Sequence, residues 1–416
     1  MSEVVNIPQL RFPEFSGDWD ERRLGDVFDV FNGYSFSSND AKSEGTRWVK
    51  IADVGIQRMK SENISYLPDY FQQQYERFLL RQGDYVIALT RPILNKKLKI
   101  AKIDKDFDGS LLNQRVGKLL TKNVYSFVYT LLQRSKLIDL INKNILGTEP
   151  PNLSMSQIST LKAFIPVEPE QQKIATFLIA VDTKIEQLSK KQELLGEYKK
   201  GAMQQIFSQV IRFKADDGST FPDWEEKKLG DIGQTFNGLI GKTKDDFGKG
   251  KPYIQYMQIF ESSKINIDNF GLVDVRDDEN QKAAQYGDVF FTTSSETPNA
   301  VGYSSVLLND IDELYLNSFC FGFRPNSLDE LSPNFAQFLL RSANFRKRVV
   351  RLAQGSTRYN MSKVQLMKEV IGIPSLEEQT KIANFLSSID NKIEQVGKQL
   401  DESKQFKKAL LQQMFV

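Results

Sequence analysis

The chain contains two copies of one pattern, and this duplication limits its fold more than any other feature. The segment that starts at Trp19 returns at Trp224, an offset of 205 residues (224 minus 19). Near the end of each copy, Glu170 returns as Glu378, an offset of 208 (378 minus 170). A repeat of this length is a whole folding unit, so the sequence predicts two similar globular units.

A long amphipathic segment closes each copy. Its apolar residues are spaced alternately four and three apart, which is the 3.5-residue period of a coiled-coil seam. A helix of about 38 residues is roughly 57 Å long at about 1.5 Å per residue, more than a small domain needs to cover its core. We therefore expect the two helices to pair with each other. The predicted seam comprises Ile174, Leu178, Val181, Ile185 and Leu188 in the first copy, and Ile382, Leu386, Ile389, Ile393 and Val396 in the second.

Polar residues interrupt both seams, at Gln192 and Lys199 in the first copy and at Ser403 and Lys407 in the second. Two interpretations are open. The favoured one is that the lysines extend their ammonium groups from a solvated stretch into water. The alternative is that these positions form a docking surface for a partner.

Strand and helix patterns are mixed within each globular unit. The fold class is therefore α/β: two mixed globular units joined by two long helices that form an antiparallel coiled coil, with pseudo-two-fold symmetry between the copies. We predict strands at 48–51, 84–89, 98–103, 289–292 and 316–323, and helices at 126–145 and 334–353 that end at Gly147 and Gly355. The predicted segments are 1–165 for the first globular unit, 166–212 for the first long helix, 213–223 for a linker, 224–372 for the second globular unit and 373–416 for the second long helix.

Composition excludes several classes of active site. The chain has no histidine and one cysteine, so we expect no histidine–cysteine zinc site, no Ser-His-Asp triad and no disulfide within the chain. Residues 1–5 contain no basic run leading into an apolar stretch, and the apolar runs elsewhere are far shorter than a bilayer requires. The sequence therefore predicts a soluble cytoplasmic protein without membrane contact.

Three short motifs resemble catalytic sites but lack essential residues. Residues 241–243 look like the end of a phosphate-binding loop, yet Phe236 stands where its first glycine would be. Residues 149–152 resemble the Asn-Pro-Pro-aromatic motif of adenine methyltransferases, without its amide and its aromatic ring. Asp182 and Lys184 could belong to a nuclease site, but no further carboxylate stands at metal-binding spacing. We therefore predict no catalytic residue and no metal site, and molecular recognition is the remaining hypothesis.

Local basic clusters favour recognition of DNA. The net charge is only +2, from 55 basic and 53 acidic residues, so a surface for DNA must come from clustering. A solvated surface without a ligand is the alternative for each cluster. One basic run, from Arg341 to Arg351, lies on a predicted helix. The other predicted phosphate contacts are Arg91, Lys96, Lys97 and Lys99 in the first unit, and Lys242, Lys244, Lys249 and Lys251 in the second.

Polar side chains suited to base edges lie near these clusters in sequence. Arginine can form two hydrogen bonds with guanine, and asparagine can do so with adenine. Asn113 and its counterpart Asn317 are predicted to support the fold instead, because a pair present in both units belongs to the shared scaffold. The candidates for base contact are Arg115, Ser294, Arg358 and Asn360.

The end of each copy resembles a known family. The pattern Pro-x-x-x-Glu-Gln-x-x-Ile-Ala-x-Phe-Leu occurs at Pro166–Leu178 and again at Pro374–Leu386. It resembles the duplicated region of type I restriction-modification specificity subunits. Residues 147–154 and 355–362 are also similar to the end of that family's target recognition domains.

This resemblance implies a non-catalytic subunit that binds a split sequence in double-stranded DNA, one half-site per recognition domain, with the helices setting the spacer. It implies no cofactor in this chain. The implied partners are modification subunits that methylate adenine with S-adenosylmethionine, and restriction subunits that use ATP and Mg²⁺. Two other hypotheses are a self-contained DNA methyltransferase or nuclease with diverged motifs, and a coiled-coil scaffold for protein interactions.

Overall fold

The computed structural model describes residues 6–145 and 149–416. The predicted helix end at Gly147 lies outside the described residues, as do residues 147 and 148 of the family similarity. Residues 1–5, where the sequence predicts no leader segment, also lie outside them.

The chain folds into two compact units. Unit 1 contains Met1–Ser189 and Lys398–Val416, and unit 2 contains Lys190–Gly397. The predicted linker 213–223 therefore lies inside unit 2 and does not separate the two units. The reason is that each long helix contributes residues to both units.

Unit 1 consists of short strands and short helices together with the start of one long helix and the end of the other. Its strands are β1 Asp20–Arg23, β2 Asp29–Asn32, β3 Thr46–Val49, β4 Tyr66–Leu67, β5 Tyr85–Ala88, β6 Ile93–Leu94, β7 Lys97–Leu98, β8 Ile100–Lys102, β9 Leu111–Leu112, β10 Val116–Leu120 and β11 Lys162–Ile165. Its helices are α1 Leu24–Val27, α2 Phe71–Gln74, α3 Tyr125–Leu131, α4 Ser135–Ile145, α5 Met155–Ile158 and the long helix α6 Glu168–Phe207.

The main sheet of unit 1 has four antiparallel strands in the order β2-β10-β5-β8. Successive side chains of β5 point to opposite faces, as the two-residue period of a strand requires. Tyr85 and Ile87 pack into the core that includes α3, α4 and α6, whereas Val86 and Ala88 pack into a second core on the other face. Strand β5 is thus buried on both faces.

Unit 2 repeats this architecture. Its strands are β12 Glu225–Lys228, β13 Gly233–Asn237, β14 Phe247–Ile254, β15 Gly271–Val273, β16 Val289–Thr292, β17 Ser294–Ser295, β18 Ser304–Val306, β19 Tyr315–Leu316, β20 Cys320–Pro325, β21 Ala353–Gln354, β22 Tyr359–Met361 and β23 Val370–Ile373. Its helices are α7 Leu229–Ile232, α8 Tyr256–Glu261, α9 Pro333–Leu339, α10 Ala343–Arg351, α11 Lys363–Leu366 and the long helix α12 Leu376–Gln413. The four-stranded sheet has the order β13-β20-β16-β18, which matches unit 1 strand for strand. The prediction of two similar mixed units is confirmed.

The two predicted medium-length helices are each broken into two. Helix α3 ends before Arg134 and α9 ends before Arg341, and in both places the chain turns before the next helix begins. The Arg341 guanidinium donates to four backbone carbonyl groups, including that of Ser304 at 2.6 Å. The buried Arg134 donates to the carbonyl of Val416. These tertiary hydrogen bonds interrupt a helix that periodicity alone predicts as continuous.

Within each unit, a segment of α6 packs antiparallel against a segment of α12. In unit 2, a Cβ atom on Gly397 would lie 2.9 Å from the Gln192 amide nitrogen, and Lys199 lies 2.6 Å from Asp390. The step from Gln192 to Lys199 is seven residues forward along α6, and the step from Gly397 to Asp390 is seven residues backward along α12. This is the spacing of an antiparallel heptad pairing. Of the predicted seam, Ile174, Leu178, Leu188, Ile382, Leu386, Ile389 and Val396 are buried and Val181, Ile185 and Ile393 are half-buried, which confirms the predicted face.

Two equivalent ion pairs explain the lysines that interrupt the seam. In unit 1, Lys407 lies 2.5 Å from Asp182 and donates a hydrogen bond to Gln133 at 2.7 Å. Lys199 and Asp390 form the matching pair in unit 2, since both partners are displaced by 208 residues. Lys407 is only 6% exposed, so its interpretation as a solvated lysine is wrong. Burial lowers the pKa of Lys407, and the Asp182 carboxylate opposes that shift by stabilising the ammonium.

The glutamates of the repeated motif are buried structural acceptors. Glu170 accepts two hydrogen bonds from Arg11, both of 2.8 Å. Glu378 accepts from Arg212 at 2.8 and 3.3 Å and from the Trp224 indole at 3.1 Å. Both carboxylates are almost fully shielded from solvent, and paired donors are what such burial requires.

The glutamines of the motif join the start of each long helix to the globular part of its unit. The Gln379 amide donates to the Pro374 carbonyl at 3.0 Å, and its oxygen accepts from the backbone N–H of Ser332 at 2.9 Å. Gln171 accepts in the same way from the N–H of Val124 at 3.1 Å. Ser332 and Val124 immediately precede α9 and α3. The motif therefore marks the junction between each long helix and the globular part of its unit.

We predict that Arg212→Met destabilises the chain by about 3 kcal/mol, because it leaves the buried Glu378 carboxylate without its charged partner. Urea unfolding followed by tryptophan fluorescence measures this effect. The control is Lys190→Met, which removes an exposed pair with Glu193 and is expected to cost at most about 0.5 kcal/mol. Equal midpoints for the two variants would contradict the structural role of the Glu378 pair.

Candidate nucleic-acid interface

Three chain segments meet at one end of the main sheet of unit 1. Leu89, just after β5, donates its N–H to the carbonyl of Arg115 at 2.9 Å and accepts from the N–H of Leu153 at 2.7 Å. The next residue, Thr90, forms a bridge with Asn152 and donates its hydroxyl to the Asn152 side chain at 2.8 Å. We call residues 89–91, 113–115 and 151–153 the sheet tip of unit 1.

Unit 2 builds the same arrangement from different residues. Thr293 donates its N–H to the carbonyl of Phe319 at 3.2 Å and accepts from the N–H of Met361 at 2.9 Å. Ser294 pairs with Asn360 in the register that Thr90 and Asn152 occupy in unit 1. The sheet tip of unit 2 therefore comprises residues 293–295, 317–319 and 359–361.

The repeated asparagines hold the turn at each sheet tip. The Asn113 side-chain oxygen accepts from the N–H of Arg115 at 3.0 Å, and Asn317 accepts from the N–H of Phe319 at 2.8 Å. Glycine is required opposite this turn, because a Cβ atom on Gly33 would lie 2.3 Å from the Asn113 carbonyl oxygen. The corresponding separation at Gly238 is 2.1 Å, from Asn317. The predicted scaffold role of the two asparagines is confirmed.

A basic hairpin adjoins the sheet tip of unit 1. Strands β6 and β7 are joined by Asn95 and Lys96, whose φ angles of 50° and 58° suit a two-residue hairpin turn. The N–H of Arg91 donates to the Pro151 carbonyl at 2.8 Å, which attaches the start of the hairpin to the sheet tip. This attachment places the predicted basic cluster beside Arg115.

The hairpin presents concentrated positive charge. Arg91, Lys96 and Lys97 are exposed and Lys99 is half-buried. No ion pair neutralises these four residues within the part of the chain that the structure describes. Burial lowers the pKa of Lys99, and the nearby cations Lys60 and Arg91 lower it further. Lys60 could not be predicted from the sequence, because only the fold brings it to this cluster.

The predicted basic cluster of unit 2 is largely neutralised. Lys242 has a side chain only 6% exposed and lies 2.5 Å from Glu279. This ion pair lowers the pKa of Glu279 to about 2. Lys249 lies 3.4 Å from Asp274, and Lys251 pairs with Glu313 and with Asp277. The structure therefore does not present Lys242 to a phosphate, and of the four lysines only Lys244 is exposed without an ion pair among the described residues.

The basic run from Arg341 to Arg351, which begins just before α10, is also partly structural. Arg341 is held by four carbonyl groups, and Arg346 donates to the carbonyls of Gly302, Val301 and Asn299. Burial lowers the pKa of Arg341 to about 10, so the side chain remains charged at neutral pH. Two of the cations in the predicted run, Arg341 and Arg346, are therefore half-buried and stabilise the fold.

The four candidates for base contact have different surroundings. Arg115 and Asn360 lie in the sheet tips, and Arg358 directly precedes a segment of the sheet tip of unit 2; all three have exposed side chains. Ser294 is buried, so its side chain does not reach the surface, and its carbonyl accepts a hydrogen bond from the Tyr256 hydroxyl at 2.6 Å.

Phe319 is not among the predicted candidates, because the sequence places it inside the predicted strand 316–323. In the structure it lies in the turn between β19 and β20. The sequence does contain one signal for Phe319: it follows Arg115 by 204 residues, the same offset that relates Asn317 to Asn113.

Neither metal ligation nor a membrane span is indicated by the described residues. Residues 6–145 and 149–416 contain no cluster of three or more side chains that could hold a metal ion. None of the helices in these ranges is both long and apolar enough to cross a bilayer.

Comparison with known proteins identifies a family match over most of the chain. The family model for the type I restriction modification DNA specificity domain matches twice, over residues 16–195 and 222–403. The two matches coincide with the two copies of the repeat.

Individual relatives agree with this match. The MjaVIII specificity subunit of Methanocaldococcus jannaschii is 31% identical over 217 residues, which are 51% of this chain and 49% of that subunit, so the alignment spans about half of the relative. A putative MjaX specificity subunit of the same organism is 24% identical over 98% of this chain and 95% of its own length. The crystal structure of a type I S subunit from M. genitalium has a TM-score of 0.60 at 16% identity, covering 99% of both chains, which shows a shared fold.

We predict that the Lys242–Glu279 pair makes stability depend on acid pH. Because the pKa of Glu279 is lowered from 4.5 to about 2, its stabilisation is present above pH 4.5 and is lost as the pH falls toward 2. Lys242→Met is therefore expected to lower the melting temperature at pH 6, with a difference from wild type that shrinks toward about pH 2.5. Lys249→Met, which removes a more exposed pair, is the control. A difference that stays constant with pH would contradict this role of the pair.

Proposed function

Because this chain belongs to the type I restriction-modification DNA specificity family, we propose that it selects the DNA sequence on which such an enzyme acts. Each unit recognises one half of a split target. The family consists of non-catalytic DNA-recognition subunits. The single observation that carries the proposal is the duplicated sheet tip, where the same backbone hydrogen bonds present different side chains in the two units.

The side chains at the sheet tips suit a DNA duplex. The basic hairpin supplies phosphate contacts, which position a protein on DNA but carry no sequence information. Arg115, Arg358 and Asn360 supply exposed donors and acceptors of the kind that recognise base edges. Positioning and recognition groups thus occur side by side in unit 1, as a sequence-specific binding surface requires.

Energetics favour a target in two halves. A half-site of about three base pairs, at roughly 1 to 3 kcal/mol each, supplies about 3 to 9 kcal/mol of discrimination. Specific binding typically needs about 4 to 10 kcal/mol over non-specific binding. Two half-sites recognised by one chain roughly double the available discrimination, to about 6 to 18 kcal/mol, and this range covers the requirement.

In this proposal, DNA methylation and DNA cleavage are carried out by partner subunits. We propose that modification subunits with S-adenosylmethionine, and restriction subunits with ATP and Mg²⁺, act on the DNA that this chain selects, and that this chain binds none of these cofactors. The complex acts in the cytoplasm, where chromosomal DNA is accessible. Methyl transfer or DNA cleavage by the purified chain alone would contradict this assignment.

We predict that Arg91→Ala and Lys96→Ala each weaken binding of the assembled complex to all duplexes alike. Removing one phosphate-binding cation should reduce the slope of log K against log salt by about 0.9. Fluorescence anisotropy at several salt concentrations measures this slope for a target and an unrelated duplex. The control is Lys122→Ala, an exposed lysine beyond the other end of β10. Unchanged slopes in the hairpin variants would contradict its role in DNA binding.

We predict that exchanging residues 20–165 for those of another specificity subunit changes one half of the recognised sequence. The physical reason is that the whole sheet tip of unit 1 lies within this segment, whereas that of unit 2 lies outside it. Mapping of methylated adenines in cells that express the hybrid gives the new sequence. Changes in both halves would show that the two units do not recognise DNA independently.

A further inference from the structure

We propose that positions 115 and 319 are equivalent base-contacting positions of the two units, and that Arg115 recognises a guanine while Phe319 contacts the methyl group of a thymine. This inference rests on the proposed function and specifies one contact in each half-site. Residue type alone predicts Arg115 as a base contact, whereas Phe319 is identified only by its place in the fold.

Backbone geometry establishes that the two positions correspond. Each residue follows a turn asparagine by two positions and donates its N–H to the oxygen of that side chain. Each also accepts, through its carbonyl group, the N–H of the residue just after β5 or β16, which is Leu89 or Thr293. Both hydrogen bonds of the residue at 115 or 319 use backbone atoms, so the fold fixes its place without fixing its side chain.

Neither side chain is needed to complete the fold around it. Phe319 is 61% exposed, whereas the next two residues, Cys320 and Phe321, are buried in the cores of unit 2. Among the described residues, the Phe319 ring makes no ring contact and no cation–π contact. The exposed Arg115 guanidinium has neither a hydrogen bond nor an ion pair within the described ranges. Both side chains are therefore available to a ligand.

The chemistry of the two side chains selects different bases. The forked donors of arginine match the two acceptors, O6 and N7, that guanine presents in the major groove. A phenylalanine ring cannot form such hydrogen bonds, and the apolar feature of the major groove is the 5-methyl group of thymine. Exposed Arg358 and Asn360 near Phe319 supply the polar contacts of the same half-site. One scaffold thus gives the two units different preferences.

The test uses the full chain assembled with its modification subunits and a panel of duplexes in which each base pair of the target is changed in turn. The half-site that survives exchange of residues 20–165 is the one assigned to unit 2. Phe319→Ala is expected to reduce discrimination at one thymine of that half-site by at most about 5- to 150-fold, the range that one mismatched base pair typically costs. Phe319→Arg is expected to change the preference at that position to guanine.

The reciprocal variant, Arg115→Phe, is expected to replace a guanine preference in the other half-site and to leave the unit 2 half-site unchanged. Matched controls are Arg81→Phe and Tyr286→Ala, exposed residues that precede β5 and β16 at the opposite end of each strand. Melting temperatures should equal that of wild type for all variants, because these side chains are exposed. The controls are expected to keep the wild-type base preferences.

Two results would overturn the inference. One is an unchanged base preference in Phe319→Ala and Arg115→Phe. The other is an equal reduction of binding to every duplex, which would show a contact without sequence information. If the wild-type complex itself lacks preference for a split sequence, the proposed function fails, and this outcome is distinguished by the wild-type panel alone.

Discussion

Backbone hydrogen bonding at the sheet tips is the constraint on which the proposed DNA recognition by this chain depends. In each unit the residue that follows β5 or β16 forms hydrogen bonds with two other segments through its own N–H and carbonyl groups. Because these bonds use no side-chain atoms of the residues at 115 and 319, those residues can differ without disruption of the tip. The parts that cannot differ are the asparagine that closes the turn and the glycine beside it, and both occur in both copies. Shared geometry with variable side chains is the physical requirement for a duplicated recognition surface.

The buried charged side chains of this chain form ion pairs that stabilise its fold. The repeated glutamates accept from arginines that lie well outside the motif, and the seam lysines pair with aspartates of the facing helix. An unpaired charge at the buried positions Glu170, Glu378 or Lys407 would be costly, so each of these pairs restricts which segments can pack together. The repeated motif therefore identifies the junction between the long helix and the globular part of its unit, while we propose that residues differing between the copies contact DNA.

The sequence predicted those features that depend on local spacing. The duplication, the heptad seam and the strand at 289–292 follow from the order of residues, and the structure confirms them. Features set by distant partners were not predictable. The helix break before Arg341 depends on carbonyl groups about 80 residues earlier in the chain, because tertiary context overrides local helix propensity. Lys242 looked like a surface cation, because nothing near it in sequence identifies Glu279 as its partner.

The central claim is that two equivalent sheet tips of one chain contact two separate half-sites of one duplex. Site-specific photocrosslinking measures this most directly, with a photoreactive amino acid placed at position 115 or 319 in the assembled complex and the crosslinked nucleotides mapped. We expect a crosslink to one half-site from position 115 and to the other half-site from position 319. Crosslinks from both positions to the same half-site, or from neither while position 122 crosslinks, would contradict the claim.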